Sequence, residues 1–144
     1  MKSMRVIYLC HPVSGDVEGN LARVRRWLRW IYDTQPGVAV LCMWVVDCEV
    51  LDDSNPAHRA VGLEHDFVII ERCDEVWAVG GRVSVGMGLE IEHGLRHGVP
   101  FLDMSAMGEE PPPGPVELPP LQWPKQEQQR ERKRREQKPR GCRG

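Results

Sequence analysis

Apolar positions along the chain fall into short dense runs, separated by longer stretches in which they recur every third or fourth residue. The first run, Arg5-Val6-Ile7-Tyr8-Leu9-Cys10, is brief, β-branched and aromatic, which predicts a buried strand. From about Glu18 to Asp33, Leu21, Val24, Leu28 and Ile31 fall at helical spacing, and Arg23, Arg25, Arg26 and Arg29 lie mostly off that stripe. Gly37 follows as a stop signal. Val38 to Val46 is almost continuously apolar, as expected of a strand covered on both faces. Asn55 and Pro56 then open a helix as N-cap and first helical residue, and it runs to about Arg72 with Val61, Phe67 and Ile70 inward. A third strand is expected at 74–79, a glycine-rich loop from Gly80 to Gly88, and a short helix from about Leu89 to His97. Gly98 closes that helix before a fourth strand at 99–102.

Strand and helix therefore alternate. That order predicts an α/β fold, Rossmann-like (flavodoxin-like), with a parallel sheet of four to five strands and helices on both faces. Ligands of such sheets sit beyond the carboxyl ends of the strands. There the loop 11–16, the acidic stretch 47–53 and the glycine loop 80–88 converge. The domain is expected over residues 1–106. Residues 107–124 read as a proline-rich linker, since 111–124 hold seven of the twelve prolines, and 125–144 read as a basic, disordered tail.

Composition narrows the class. With 144 residues, 41% hydrophobic and 28% charged, the chain suits one globular domain. No apolar run approaches the roughly 20 residues that span a bilayer, and the apolar stretch after Arg5 is too short for a secretory signal. Five cysteines, an odd count with no C-x-x-C pair, point to reduced thiols, so the cytoplasm is the expected location. Five scattered histidines show no metal spacing, and neither metal nor cofactor is expected. The net charge of −2 hides an asymmetry: nine Lys/Arg against three Glu give +6 over 125–144, leaving −8 for residues 1–124. An acidic body argues against a nucleic-acid-binding core, so any contact with DNA or RNA falls to the tail.

The segment Gly80-Gly81-Arg82-Val83-Ser84-Val85-Gly86-Met87-Gly88-Leu89-Glu90 carries the chemistry. Glycines let a backbone approach a ligand closely, and free N–H groups at a helix start favour an anion. It is not a P-loop, because the Gly-Lys-Ser/Thr ending is absent, nor a Rossmann fingerprint, which follows the first strand. Glu90, expected in the first turn of the next helix, has two readings. It complements the helix dipole, or it is a carboxylate kept ionised by the same dipole for use as a nucleophile. Asp66 is either a solvated helix-face residue or a second working carboxylate. Tyr8 is a core aromatic or sends its hydroxyl to the rim. His11 and Ser14 are candidates for a pocket floor. Cys10 beside His11 is a weaker candidate nucleophile, since nothing in the sequence activates its thiol.

Taken together, Val6-Ile7-Tyr8-Leu9-Cys10-His11-Pro12 with Ser14-Gly15-Asp16 and Asn20, Glu64-His65-Asp66 with Asp74, and Ser84-x-Gly86-x-Gly88-x-Glu90 resemble the nucleoside 2-deoxyribosyltransferase-like superfamily. That superfamily includes the 2-deoxynucleoside 5'-monophosphate N-hydrolases, and the resemblance covers about residues 4–104. It implies Glu90 as nucleophile on the anomeric carbon, Asp66 as the acid or hydrogen-bonding partner that helps the base leave, and Tyr8 as the group orienting the carboxylate. It implies substrate contacts at His11, Pro12, Ser14 and Gly15, and at Ser84, Gly86, Met87 and Gly88, where loop N–H groups hold the 5' end. His11-Pro12 departs from the more usual small residue and proline or serine, which alters the sugar-facing surface. The implied partner is a small-molecule nucleoside or nucleotide, with a homodimer or larger homo-oligomer as the assembly. Two other functions stay open: a non-catalytic nucleotide-binding or sensing module, and a nucleic-acid adaptor working through residues 125–144.

Overall fold

The computed structural model describes residues 3–126 together with 130, 133 and 134; the expected disordered tail lies mostly outside the described residues. Four parallel strands form one sheet in the order β2-β1-β3-β4, where β1 is Arg5–Cys10, β2 Val38–Leu41, β3 Glu75–Ala78 and β4 Phe101–Asp103. The fold is α/β, with the strand order of a flavodoxin-like sheet. With the right-handed crossovers that are the rule for parallel strands, this order puts α1 (Val17–Thr34) on one face and α3 (Pro56–Ile70) and α4 (Val85–Arg96) on the other, where α3 and α4 pack together.

Strand alternation divides β1 and β3 between these faces. Tyr8 and Val76 are register partners, and a side chain at Gly94 of α4 would meet Val76 at 3.1 Å, so Tyr8 and Cys10 look toward α3 and α4. Ile7, Leu9 and Trp77 look toward α1 and are fully buried, as are Val24, Trp27 and Ile31 of that helix. On this face Glu75 is buried but fully partnered, accepting from Arg5 at 2.6 Å and from the Trp77 indole at 3.0 Å.

Three local expectations change. The second strand stops at Leu41, and Trp44–Val50 forms a short helix, α2. A dense apolar run does not by itself separate buried strand from helix. Here the buried Trp44 donates its indole N–H to the carbonyl of Leu9 at 2.7 Å and pins the turn. The glycine loop is shorter than expected, because Ser84 caps α4 by accepting from the Met87 amide, which places Gly86 and Gly88 inside the helix.

Residues 107–124, expected as a linker, are laid against the domain. The indole of Trp27 donates to Glu109 at 2.8 Å and that of Trp30 to Gly114 at 3.0 Å. Glu110 accepts two hydrogen bonds from Arg26, one from Nε and one from Nη2, and Gln122 bridges Phe101 at the edge of β4. Prolines supply few donors, yet their carbonyls and the neighbouring ones accept freely, so a proline-rich strap suits a surface that offers indole N–H groups.

Candidate active site

Position 8 sits in the first strand and position 90 in the fourth helix, yet the Tyr8 hydroxyl donates a short hydrogen bond to Glu90 Oε2. Tyr8 is fully buried beneath this contact. Asp66, on α3, shares the neighbourhood: its charge raises the pKa of Glu90, and the Tyr8 hydroxyl lowers its own. Beside the two carboxyl groups opens a cavity of about 750 Å³ at the carboxyl ends of β1 and β3. Its size is within the range of small-molecule sites.

The electrostatics differ from expectation. Glu90 lies in the second turn of α4, not the first, so the helix start does not hold it ionised. Burial instead pushes its carboxyl up to about 8, against the Tyr8 hydrogen bond and with help from the Asp66 charge. Burial likewise raises Asp66 to about 6. Between these values the pair shares one proton. Burial drives the Cys10 thiol well above its usual range, so no thiolate stands ready there.

Two buried polar atoms in the cavity wall lack a partner, His11 Nε2 and Asp66 Oδ1. His11 Nδ1 lies 2.7 Å from the carbonyl of Pro12, which only accepts, so Nδ1 carries the hydrogen. Burial lowers the pKa of this ring, leaving Nε2 as an acceptor for a ligand hydroxyl or amine. A buried acceptor without a donor is costly, and a ligand is one way to satisfy it.

Of the sequence-derived residues, His11, Ser14, Ser84, Gly86, Met87, Asp66 and Glu90 line the cavity. Pro12 and Gly15 do not, nor does Gly88, and Tyr8 lies behind Glu90. Pro12 packs beneath Gly80, whose φ of +104° and whose contact with His11 leave no room for a side chain. Gly86 faces open space: a Cβ there meets nothing within 4 Å, which leaves the helix backbone approachable from the cavity. The amides of this first turn, with Arg82 and the Ser84 hydroxyl nearby, offer an anion site.

Sequence reasoning missed Trp44, His58, Arg59 and Arg82 as cavity residues. Arg82 had a signal, as the sole cation between Arg72 and Arg96 and next to the glycine segment. Trp44 had none, because its place depends on α2, which the apolar run concealed.

The family described as a domain of unknown function (DUF7768) matches residues 5–104, and the chain belongs to that family. No curated protein matches the chain.

Proposed function

We propose that this DUF7768 member is an N-glycosidic bond hydrolase or deoxyribosyltransferase acting on a nucleoside or nucleoside 5'-monophosphate. One observation carries the reading: two carboxyl groups from different helices, with separated proton affinities, meet over one phenol at the wall of a ligand-sized cavity. The Glu90 carboxylate attacks C1' of the sugar as the bond to the base breaks and its electron pair leaves with the base. Asp66 delivers the proton the departing base needs. Water, or a second base, then attacks C1' and passes its proton to Asp66, as the C1'–Glu90 bond breaks and its electron pair returns to the carboxylate. Tyr8 holds the Glu90 carboxylate in line, and Arg82 with the first-turn amides of α4 receives a 5'-phosphate.

The chemistry requires one ionised and one protonated carboxyl, which is the proton count the pair holds between about pH 6 and 8. The reactive arrangement has that proton on Asp66. A bound base that accepts a hydrogen bond from Asp66 favours it.

A non-catalytic nucleotide-binding module is the second reading. Its support is the burial that raises the Glu90 carboxyl to about 8, since a neutral carboxyl holds a sugar hydroxyl without attacking the ring. A cytoplasmic location and self-association are part of the proposal. Among the described residues no helix is long and apolar enough to cross a membrane. Val50, Val61, Val68, Val85 and Leu89 expose apolar surface on α2, α3 and α4 for a second subunit to cover.

A panel of deoxynucleosides and their monophosphates, followed for free base by chromatography, separates the two readings. Catalysis predicts base release with a bell-shaped pH profile whose limbs fall near 6 and 8, and a loss of about a thousandfold or more in Glu90→Gln. Ligand binding without base release supports the module instead. Undiminished release by Glu90→Gln removes Glu90 from the mechanism.

A further inference from the structure

One turn beyond Glu90, α4 carries a second group of polar side chains that the proposed chemistry does not use. His93 lies in its last turn and His97 caps it, four residues on, while Glu71 caps the end of α3 opposite. Glu71 Oε1 lies 3.1 Å from His97 Nε2 and 3.8 Å from His93 Nε2, and the three atoms all fall within 4.8 Å of one another.

Three potential donor atoms converge at this cluster, and one of them has no hydrogen-bond partner. His97 Nδ1 lies 2.8 Å from the carbonyl of His93, an acceptor only, so Nδ1 holds a hydrogen and Nε2 is the nitrogen that faces the carboxylate. His93 Nε2 is buried and has no hydrogen-bond partner. The two imidazoles stack with centroids 4.2 Å apart, so both ring nitrogens face the same carboxylate oxygen. A single divalent cation between the three atoms satisfies all of them.

We propose that Glu71, His93 and His97 form a zinc-type divalent metal site that clips the end of α3 to the end of α4. Two imidazole nitrogens and one carboxylate oxygen are a donor set suited to zinc, with a fourth position left for water. Metal–ligand bonds of about 2.0–2.1 Å in a tetrahedron separate donor atoms by about 3.3 Å, which the 3.1 and 3.8 Å spacings bracket. The rings are already oriented, His97 by its bond to the backbone carbonyl and His93 by stacking at 4.2 Å on Phe67. Exposures of 37% at Glu71 and 43% at His97 leave a way in from solvent. The histidines are scattered along the sequence and predict no metal spacing; the proposed site rests on the i,i+4 pair on α4, with the third ligand supplied through space. Because α3 and α4 also carry Asp66 and Glu90, the clip would hold those two carboxyl groups at a fixed separation.

The test is titration of the full chain with Co(II), and then Zn(II), in chelator-treated buffer. One equivalent of Co(II) should bind with visible d–d bands and without a thiolate-to-cobalt charge-transfer band. Saturating Zn(II) should raise the thermal midpoint by several degrees. In His97→Ala, a solvent-facing change that spares the core, the affinity should fall by at least about tenfold and the thermal shift should vanish. Glu71→Gln should weaken binding in the same direction. Equal affinity in His97→Ala, a thiolate band showing cysteine ligation, or no binding below millimolar metal would each overturn the site.

Discussion

On the α1 side of the sheet, Ile7, Leu9 and Trp77 are sealed beneath Val24, Trp27 and Ile31, and the buried Glu75 has both an arginine and an indole as partners. On the α3–α4 side the intervening residue of the same strand, Tyr8, supports a carboxyl group whose proton affinity burial has raised. There Asp66 and His11 leave buried atoms unpartnered beside a cavity, and His93 leaves another at the far end of α4. The first side satisfies its polar groups internally and supplies stability. The second leaves them unsatisfied, at a cost, and so has something to offer a ligand. One strand serves both, because successive side chains point to opposite faces.

The contrast breaks most visibly at Trp27. Trp27→Ala empties a fully buried site and releases the strap at Glu109, so denaturant unfolding should show a loss of about 3–5 kcal/mol. On the other face a substitution should stabilise. The Glu90 carboxyl rises from an ordinary 4.5 to about 8, so the folded chain binds more protons than the unfolded chain between those values. Stability from this group is therefore present below about pH 4.5 and falls as pH climbs toward 8, by a few kcal/mol at about 1.4 kcal/mol per unit. Glu90→Gln should flatten that slope and unfold later than the parent chain at pH 9. A parent whose stability is level from pH 5 to 9 would contradict the burial of this charge.

Smaller effects sharpen the same division. Trp30→Phe keeps an aromatic ring but removes the indole donor to Gly114 and some buried volume, and should cost about 1–3 kcal/mol without altering base release. Gly86→Ala and Gly88→Ala should each raise helix stability by up to about 1 kcal/mol, since neither Cβ meets a neighbour. Only Gly86 lines the cavity, so only its substitution should also weaken nucleotide binding, measured by calorimetry. Equal binding by the two variants would place the ligand away from the start of α4.

Much of the scaffold could be read from residue order. The alternation of dense runs with helical spacing predicts the parallel sheet. Asn55 and Pro56 mark the start of α3, and the Asn55 side chain accepts from the Ala57 amide there. Ser84, Gly86, Gly88 and Glu90 stand out by spacing, and local chemistry explains why: caps and helix stops act within a few residues. The beginning of α4 escaped notice because a run of glycines reads as loop until a serine cap and the packing of Met87 hold it helical.

What the chain's order determined, then, is which elements form and which rim gathers the polar loops, because hydrophobic period and capping are local properties. Tertiary structure alone decided that Tyr8 touches Glu90 across 82 positions and that burial lifts both carboxyl groups. It also decided that Glu71 meets His93 and His97, and that a proline-rich segment lies down on two tryptophans. Desolvation and through-space contact depend on everything that surrounds a group, and no window of neighbouring residues contains that information.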